Sequence, residues 1–209
     1  MYDKNHVFKA YDEIVSWFDN ARTKDLSLEH PYLVYAKEHL PRCAKILDLG
    51  CGTGDPIAKF FNDCGYSLIG IDASEKMIQL CRKRLPKHRW IINDMRELQI
   101  DETFDLVLAW HSLFHLPHDD QRQLLKHIGL YVSPGGLLIF TSGHEYGEVW
   151  SNNGGYDLYH ASLSIEEYKK LLQESGFNIE MNKIQDPNCG EATVWIAKKL
   201  NFSGAAERI

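Results

Sequence analysis

What the chain lacks narrows its character first. No apolar run in its 209 residues approaches the ~18 needed to span a bilayer, so no membrane partner is expected. Behind the opening Met1-Tyr2-Asp3-Lys4-Asn5 no basic start leads into an apolar stretch. No secretion signal is therefore expected, and a cytoplasmic location is. The five cysteines (Cys43, Cys51, Cys64, Cys81, Cys189) are odd in number, scattered and free of any C-x-x-C. That argues for reduced thiols, with neither a disulfide framework nor a zinc site. Positive charge is not in excess: 23 basic against 29 acidic residues leave a net charge of -6. Long-range attraction to phosphate backbones is missing, and nucleic acid is not an expected partner. Internal repeats and low-complexity segments are absent too.

What remains is globular. Apolar residues make up 44% of the chain and charged residues 25%, ample for a core. Residues 1–44 read as a helical cap, 45–200 as the main domain and 201–209 as a flexible tail. In the cap, Val7, Tyr11, Ile14, Val15 and Phe18 recur at helical spacing, and a second helix ends before Pro41. After Lys45 strands alternate with amphipathic helices. Strands are expected at Lys45-Ile-Leu-Asp-Leu, Tyr66 to Ile71, Trp90-Ile-Ile, Phe104 to Trp110, and Leu137 to Thr141 after a Pro134-Gly-Gly turn. Two closing strands follow, Phe177 to Ile184 and Thr193 to Lys198. The near-continuous apolar runs imply burial on both faces. The expected fold is α/β: a doubly wound, mostly parallel, seven-stranded Rossmann-like sheet with helices on both faces and an antiparallel edge strand. Ser142 to Leu163 reads as a long loop rich in Gly, Asn, His and Tyr, of the kind that covers a site.

The strongest motif is Ile46-Leu-Asp48-Leu-Gly50-Cys51-Gly52-Thr-Gly54-Asp55-Pro56, a buried strand entering a glycine turn that opens a helix. Such a turn lets a ligand approach the backbone and presents free N–H groups. A nucleoside triphosphate would need a lysine after the last glycine, and none is there. A dinucleotide would need a third glycine where Asp55 stands, and its pyrophosphate would meet Asp48 and Asp55 with no nearby cation. S-adenosylmethionine carries no phosphate, and an acid before the first glycine can attract its cationic end.

Here the sequence resembles the class I S-adenosylmethionine-dependent methyltransferase family, in a bacterial subgroup of undefined substrate. The D-x-G-x-G-x-G pattern stands at Asp48 to Gly54, and the resemblance runs from about Lys45 to Thr141. It implies S-adenosylmethionine as cofactor and S-adenosylhomocysteine as product. It implies that Asp48, Gly50, Cys51, Gly52 and Gly54 form the cofactor turn and that Asp72 grips the ribose hydroxyls. Ala73 and Met77 would line the adenine, with Asn93, Asp94 and Met95 after the third strand reaching its edge. Trp110 would lie under the sulfonium, and Tyr11 would contact the methionine end.

Motifs that mark nucleic-acid amino methylation or cytosine methylation are absent, so a small-molecule acceptor methylated on O or N is the expectation. His111 and His115 fall where the family places its acceptor; on a helix their spacing would put them on one face, to orient the acceptor or serve as base. Without a third ligand they do not make a metal pair. His144, Tyr159 and His160 are expected to rim the acceptor pocket. A non-catalytic cofactor-binding or regulatory module, or a tRNA or protein methyltransferase, stays open as an alternative. Monomer and homodimer are both admitted.

Overall fold

The structure is a computed structural model that describes residues 3–201. Apart from Asn201, the expected tail lies outside the described residues. Two helices, α1 (Val7–Ala21) and α2 (His30–His39), precede the first strand. Then β1 (Lys45–Leu49), α3 (Ile57–Asp63), β2 (Ser67–Asp72), α4 (Glu75–Arg84), β3 (Arg89–Ile92) and β4 (Phe104–Ala109) follow. The chain continues through α5 (His118–Ile128), β5 (Val132–Ser142), β6 (Gly147–Asn153) and β7 (Tyr156–Ser162). It closes with α6 (Ile165–Glu174), β8 (Phe177–Asp186) and β9 (Ala192–Lys199).

Seven strands form one sheet in the order β3-β2-β1-β4-β5-β9-β8. The first five are parallel, and β9 runs antiparallel to both β5 and β8, which puts the antiparallel pair at that edge. Successive residues point to opposite faces. Leu47, Val107 and Phe140 therefore pack in one layer, under α5 and α6. Ile46, Leu106 and Ile139 pack in the other, with α2, α3 and α4. Chain order reverses at β1, between β2 and β4, so a crevice opens beyond the carboxyl ends of these strands. Among the described residues no helix is long and apolar enough to cross a membrane.

Local chemistry sets the edges of that crevice. Ser74 caps α4 through its hydroxyl, which accepts from the Met77 N–H at 3.2 Å. Asp12, on α1, adds a second cap by accepting from the Lys76 N–H at 3.1 Å and from the Ser74 hydroxyl. Arg84 at the other end of α4 takes the Asp19 carboxylate with both terminal nitrogens. The cap helix is thus latched along α4, beside the crevice.

Two expectations need correction. The segment from Ser142 to Leu163 is not a loop but chiefly a hairpin, β6 pairing antiparallel with β7. Its turn is Asn153-Gly154-Gly155-Tyr156, with φ of 60° and 87° at the glycines, the left-handed geometry that hairpin turns require. The polar composition hid the strands, and the adjacent glycines were the signal. The turn expected at Pro134–Gly136 is an irregularity within β5, where the register against β4 shifts. A side chain at Gly136 would come within 2.9 to 3.1 Å of three backbone oxygens.

Candidate functional site

The crevice holds a cavity of about 260 Å³ between the strand ends, α1 and the hairpin. At one end two carboxylates stand side by side. Asp72 closes β2; one of its oxygens accepts from the Gly52 N–H at 2.9 Å and the other from the Ser74 N–H at 2.9 Å. Burial raises its pKa to about 6, against the pull of those two hydrogen bonds. Asp48 on β1 is buried, and burial together with the Asp72 charge raises it to about 7. Among the described residues neither acid has an ion-pair partner.

The glycines serve different ends. Gly50 has φ of 71°, and a Cβ there would lie 2.3 Å from the Ser112 Cβ. Ser112 is held at that distance by donating its hydroxyl to the Leu49 carbonyl at 2.6 Å. Gly52 has φ of 55° and aims its N–H at Asp72. Cys51, between them, lines the cavity, and burial pushes its thiol well up. Further round the rim Ala73, Met77, Asn93, Asp94 and Met95 line the cavity. Asp94 is held by Arg96, which donates from Nε at 2.9 Å and from a terminal nitrogen at 2.6 Å. Burial works to raise Asp94, but the Arg96 bonds outweigh it and keep the carboxyl low. Arg96 also reaches Asp120 at 2.9 Å and the Asn5 carbonyl at 2.6 Å.

The other end is aromatic. Ring centroids lie 5.5 Å apart for Phe18 and Tyr11, and 5.3 Å for Tyr11 and His115. Phe114 is 4.8 Å from His115, 5.2 Å from His160 and 5.9 Å from His111. His115 has a defined tautomer. Its Nδ1 lies 2.9 Å from the Tyr159 carbonyl, which can only accept, so Nδ1 carries the proton. Nε2 then accepts from the Tyr11 hydroxyl at 2.9 Å. Burial drives His115 down to about 3 and His111 to about 4, so both rings are neutral at pH 7. His111 sits at φ of 51°, its backbone N–H donating to the Thr141 hydroxyl at 2.9 Å and its Nδ1 3.3 Å from the same oxygen. Its Nε2 has no hydrogen-bond partner among the described residues.

Residues 46–136 match the methyltransferase domain family. The chain is 27% identical to a dTDP-4-amino-2,3,4,6-tetradeoxy-D-glucose N,N-dimethyltransferase of Saccharopolyspora spinosa, over 66% of this chain and 55% of that one. It is 28% identical to a carboxy-S-adenosyl-L-methionine synthase of Aliivibrio salmonicida, over 73% of this chain and 65% of that one. The matched part thus spans between 55% and 65% of these curated relatives' own length. Among solved structures, Burkholderia thailandensis 1,6-didemethyltoxoflavin-N1-methyltransferase, with its substrate and S-adenosylhomocysteine bound, superposes with a TM-score of 0.70. That pair is 21% identical and covers 96% of this chain and 92% of the other, a likeness of fold.

Against that background the placement of the expected residues in this chain is uneven. Asp48, Gly50, Cys51, Gly52, Asp72, Ala73, Met77, Asn93, Asp94, Met95, Trp110 and Tyr11 share the cavity wall, with His111, His115 and His160. Gly54 does not: with φ of 75° it turns toward Cys81 and Trp90 and serves packing. Tyr159 has a fully buried ring that packs with Val7, Ala10 and Ile14, and only its carbonyl reaches the site, through His115. His144 is exposed outside the cavity, 3.8 Å from Glu145. His111 and His115 do not share a helical face; only a 3₁₀ turn, Leu113–His115, forms there. With both ring nitrogens engaged, His115 offers no free base. Sequence reasoning missed Phe114, Thr141 and Arg96. Arg96 had a local signal, two residues beyond the expected Asp94.

Proposed function

We propose that this chain uses S-adenosylmethionine to methylate an O or N atom of a small molecule, as a cytoplasmic enzyme whose N-terminal helices cap the site. The observation that carries the reading is the pair of carboxylates, buried Asp48 and half-buried Asp72, with no cation against them among the described residues. An uncompensated buried acid is costly, and a cationic ligand relieves it. A pyrophosphate would worsen it. Each Asp72 oxygen keeps a lone pair beyond its one N–H bond, which suits a vicinal diol.

When bound, the cofactor would supply a methyl group already made electrophilic by a sulfonium. Asp72 would hold the ribose, Asp48 the ammonium, and Met77, Ala73 and Met95 would enclose the adenine. The N,N-dimethyltransferase relative and the solved toxoflavin-type enzyme, each named for a small acceptor, support a small acceptor here. With the electrophile preactivated, the chain's share is orientation and exclusion of water. α1 and the hairpin roof the site, and Tyr11 presents its oxygen with the proton already committed to His115. His111, neutral and with a free Nε2, is placed to orient the acceptor or take its proton.

Calorimetry with S-adenosylmethionine and S-adenosylhomocysteine tests the reading. Dissociation constants in the micromolar range are expected for both. No heat of binding at millimolar cofactor would overturn it.

A further inference from the structure

Away from Asp48, Asp72 and Asp55, the wall of the cavity offers no unpaired charge among the described residues, and this limits what can lie against it. Three cations line the cavity, and each is matched by an acid of its own. Lys4 lies 3.6 Å from Glu148, Arg22 is paired with the buried Glu29, and Arg96 is shared by Asp94 and Asp120. A carboxylate seated here would have to draw one of these cations from its acid, at a cost greatest for Arg22, whose partner Glu29 is buried. The imidazoles add no charge of their own. His111, His115 and His160 all have their protonated forms suppressed by burial.

The wall does offer flat faces and polar edges. Phe114 and His160 stand 5.2 Å apart at an interplanar angle of 45°, one on the turn after β4 and one on β7. His160 reaches the wall because β7 alternates: Leu158 and His160 face the cavity, while Tyr159 between them is buried in the cap. Tyr11 gives its hydroxyl proton to His115, so its oxygen can only accept from a ligand. His111 adds the unpartnered Nε2, an acceptor in the tautomer whose Nδ1 carries the proton toward the Thr141 hydroxyl. Together these groups match a ring with a donor on its edge.

We infer that the acceptor is an uncharged, flat aromatic or heteroaromatic ring bearing an N–H or O–H, packed against Phe114 and His160 with its donor toward Tyr11 and His111. A carboxylate edge would meet the accepting Tyr11 oxygen with no donor to take it, and a ring alkylated on its nitrogen would bring that oxygen no donor. This inference rests on the cofactor reading above.

The test uses the full chain saturated with S-adenosylhomocysteine and three probes of one shape: a hydroxyquinoline, a quinolinecarboxylate and an N-methylquinolinium. Ligand-observed NMR titrations give their affinities. The hydroxyquinoline is expected to bind on the order of tenfold tighter than either charged probe. Phe114→Ala is expected to weaken it several-fold, roughly the worth of one lost ring contact, with S-adenosylhomocysteine affinity changed by less than about threefold. Should Phe114→Ala fold poorly, His160→Ala reads the same contact from the hairpin. A charged probe binding as well or better overturns the inference, as does no binding of any probe, or binding indifferent to whichever variant folds. Failure to bind S-adenosylhomocysteine at all is a different outcome, visible before any probe is added. It removes the cofactor reading and this inference with it.

Discussion

The two ends of the cleft differ in charge, in backbone geometry and in how far apart along the chain their parts lie. At one end Asp48 and Asp72 are anchored on neighbouring parallel strands, and Asp72 takes the Gly52 and Ser74 N–H groups. At the other end Tyr11, His115 and Tyr159 meet across 104 and 44 residues of chain, on a helix, a 3₁₀ turn and a hairpin. The first end is an uncompensated anion in a rigid frame. The second is a set of neutral rings in which Tyr11, His115 and the Tyr159 carbonyl satisfy one another, while the His111 Nε2 and the Trp110 Nε1 have no partner among the described residues. A frame built on strand ends can serve many substrates unchanged, whereas a wall assembled from three separate elements can change with any of them.

The sharpest way to break the comparison is to remove the charge. Asp72→Ala is expected to weaken S-adenosylhomocysteine about a hundredfold or more by calorimetry, because both ribose contacts of a charged, pre-oriented acceptor go at once. Phe114→Ala, at the aromatic end, should leave that affinity nearly intact. Equal losses from the two variants would mean that the ends are not separable.

Next in size is the dependence on pH. In the folded chain without ligand Asp48 is raised to about 7 and Asp72 to about 6, against ~4 for an unfolded carboxyl. The folded state then holds more protons than the unfolded state between those values. Stability is greatest below the unfolded pKa and falls as pH rises toward 7. A cationic ligand reverses the preference, so S-adenosylmethionine should bind about tenfold more weakly at pH 5.5 than at pH 8, with protons released on binding near neutrality. Calorimetry in buffers of different ionisation enthalpy counts them. Asp48→Asn should flatten both profiles and raise the melting temperature of the unliganded protein at pH 8. Binding that strengthens on acidification would contradict the charge argument.

These contrasts also explain what the sequence made legible. The parallel strands and their helices announce themselves by short apolar runs and local caps, such as Ser74 before α4. The acids and glycines of the carboxylate end lie in a contiguous motif or at a strand's last residue, so the spacing that folds them is the spacing that is read. Nothing local to Tyr11 states that its hydroxyl reaches His115, and nothing local to Tyr159 separates its buried ring from the exposed imidazole of His144. Gly54 shows the limit within the motif itself: the same letter turns two residues toward the ligand space and a third into the core. The hairpin was hidden because its composition is polar and β6 is exposed or half-buried along its length, Val149 and Trp150 included, so no alternation of a half-buried strand is present to be read.

The smallest expected effect, and the one that tests whether the Tyr11–His115 pairing of the neutral end is truly self-satisfied, is that of Tyr11→Phe. The ring keeps its packing against Phe18 and His115, and only the hydroxyl is lost. That leaves the His115 Nε2 lone pair buried without its donor, at a cost of about 1 kcal/mol in stability by denaturant titration. His115 should nevertheless keep its tautomer, because the Tyr159 carbonyl still fixes the proton on Nδ1. The ring should also stay neutral, because burial is the chief cause of its low pKa and burial is unchanged. Nitrogen-15 shifts of the imidazole report both. S-adenosylhomocysteine affinity should move by less than about threefold, since one neutral contact is removed and no charge is uncovered. If the imidazole instead begins to titrate between pH 5 and 7, the Tyr11 hydroxyl was what kept a proton off Nε2. The aromatic end would then be held neutral by a single hydrogen bond, and its contrast with the carboxylate end would be one of chemistry that a single substitution reverses.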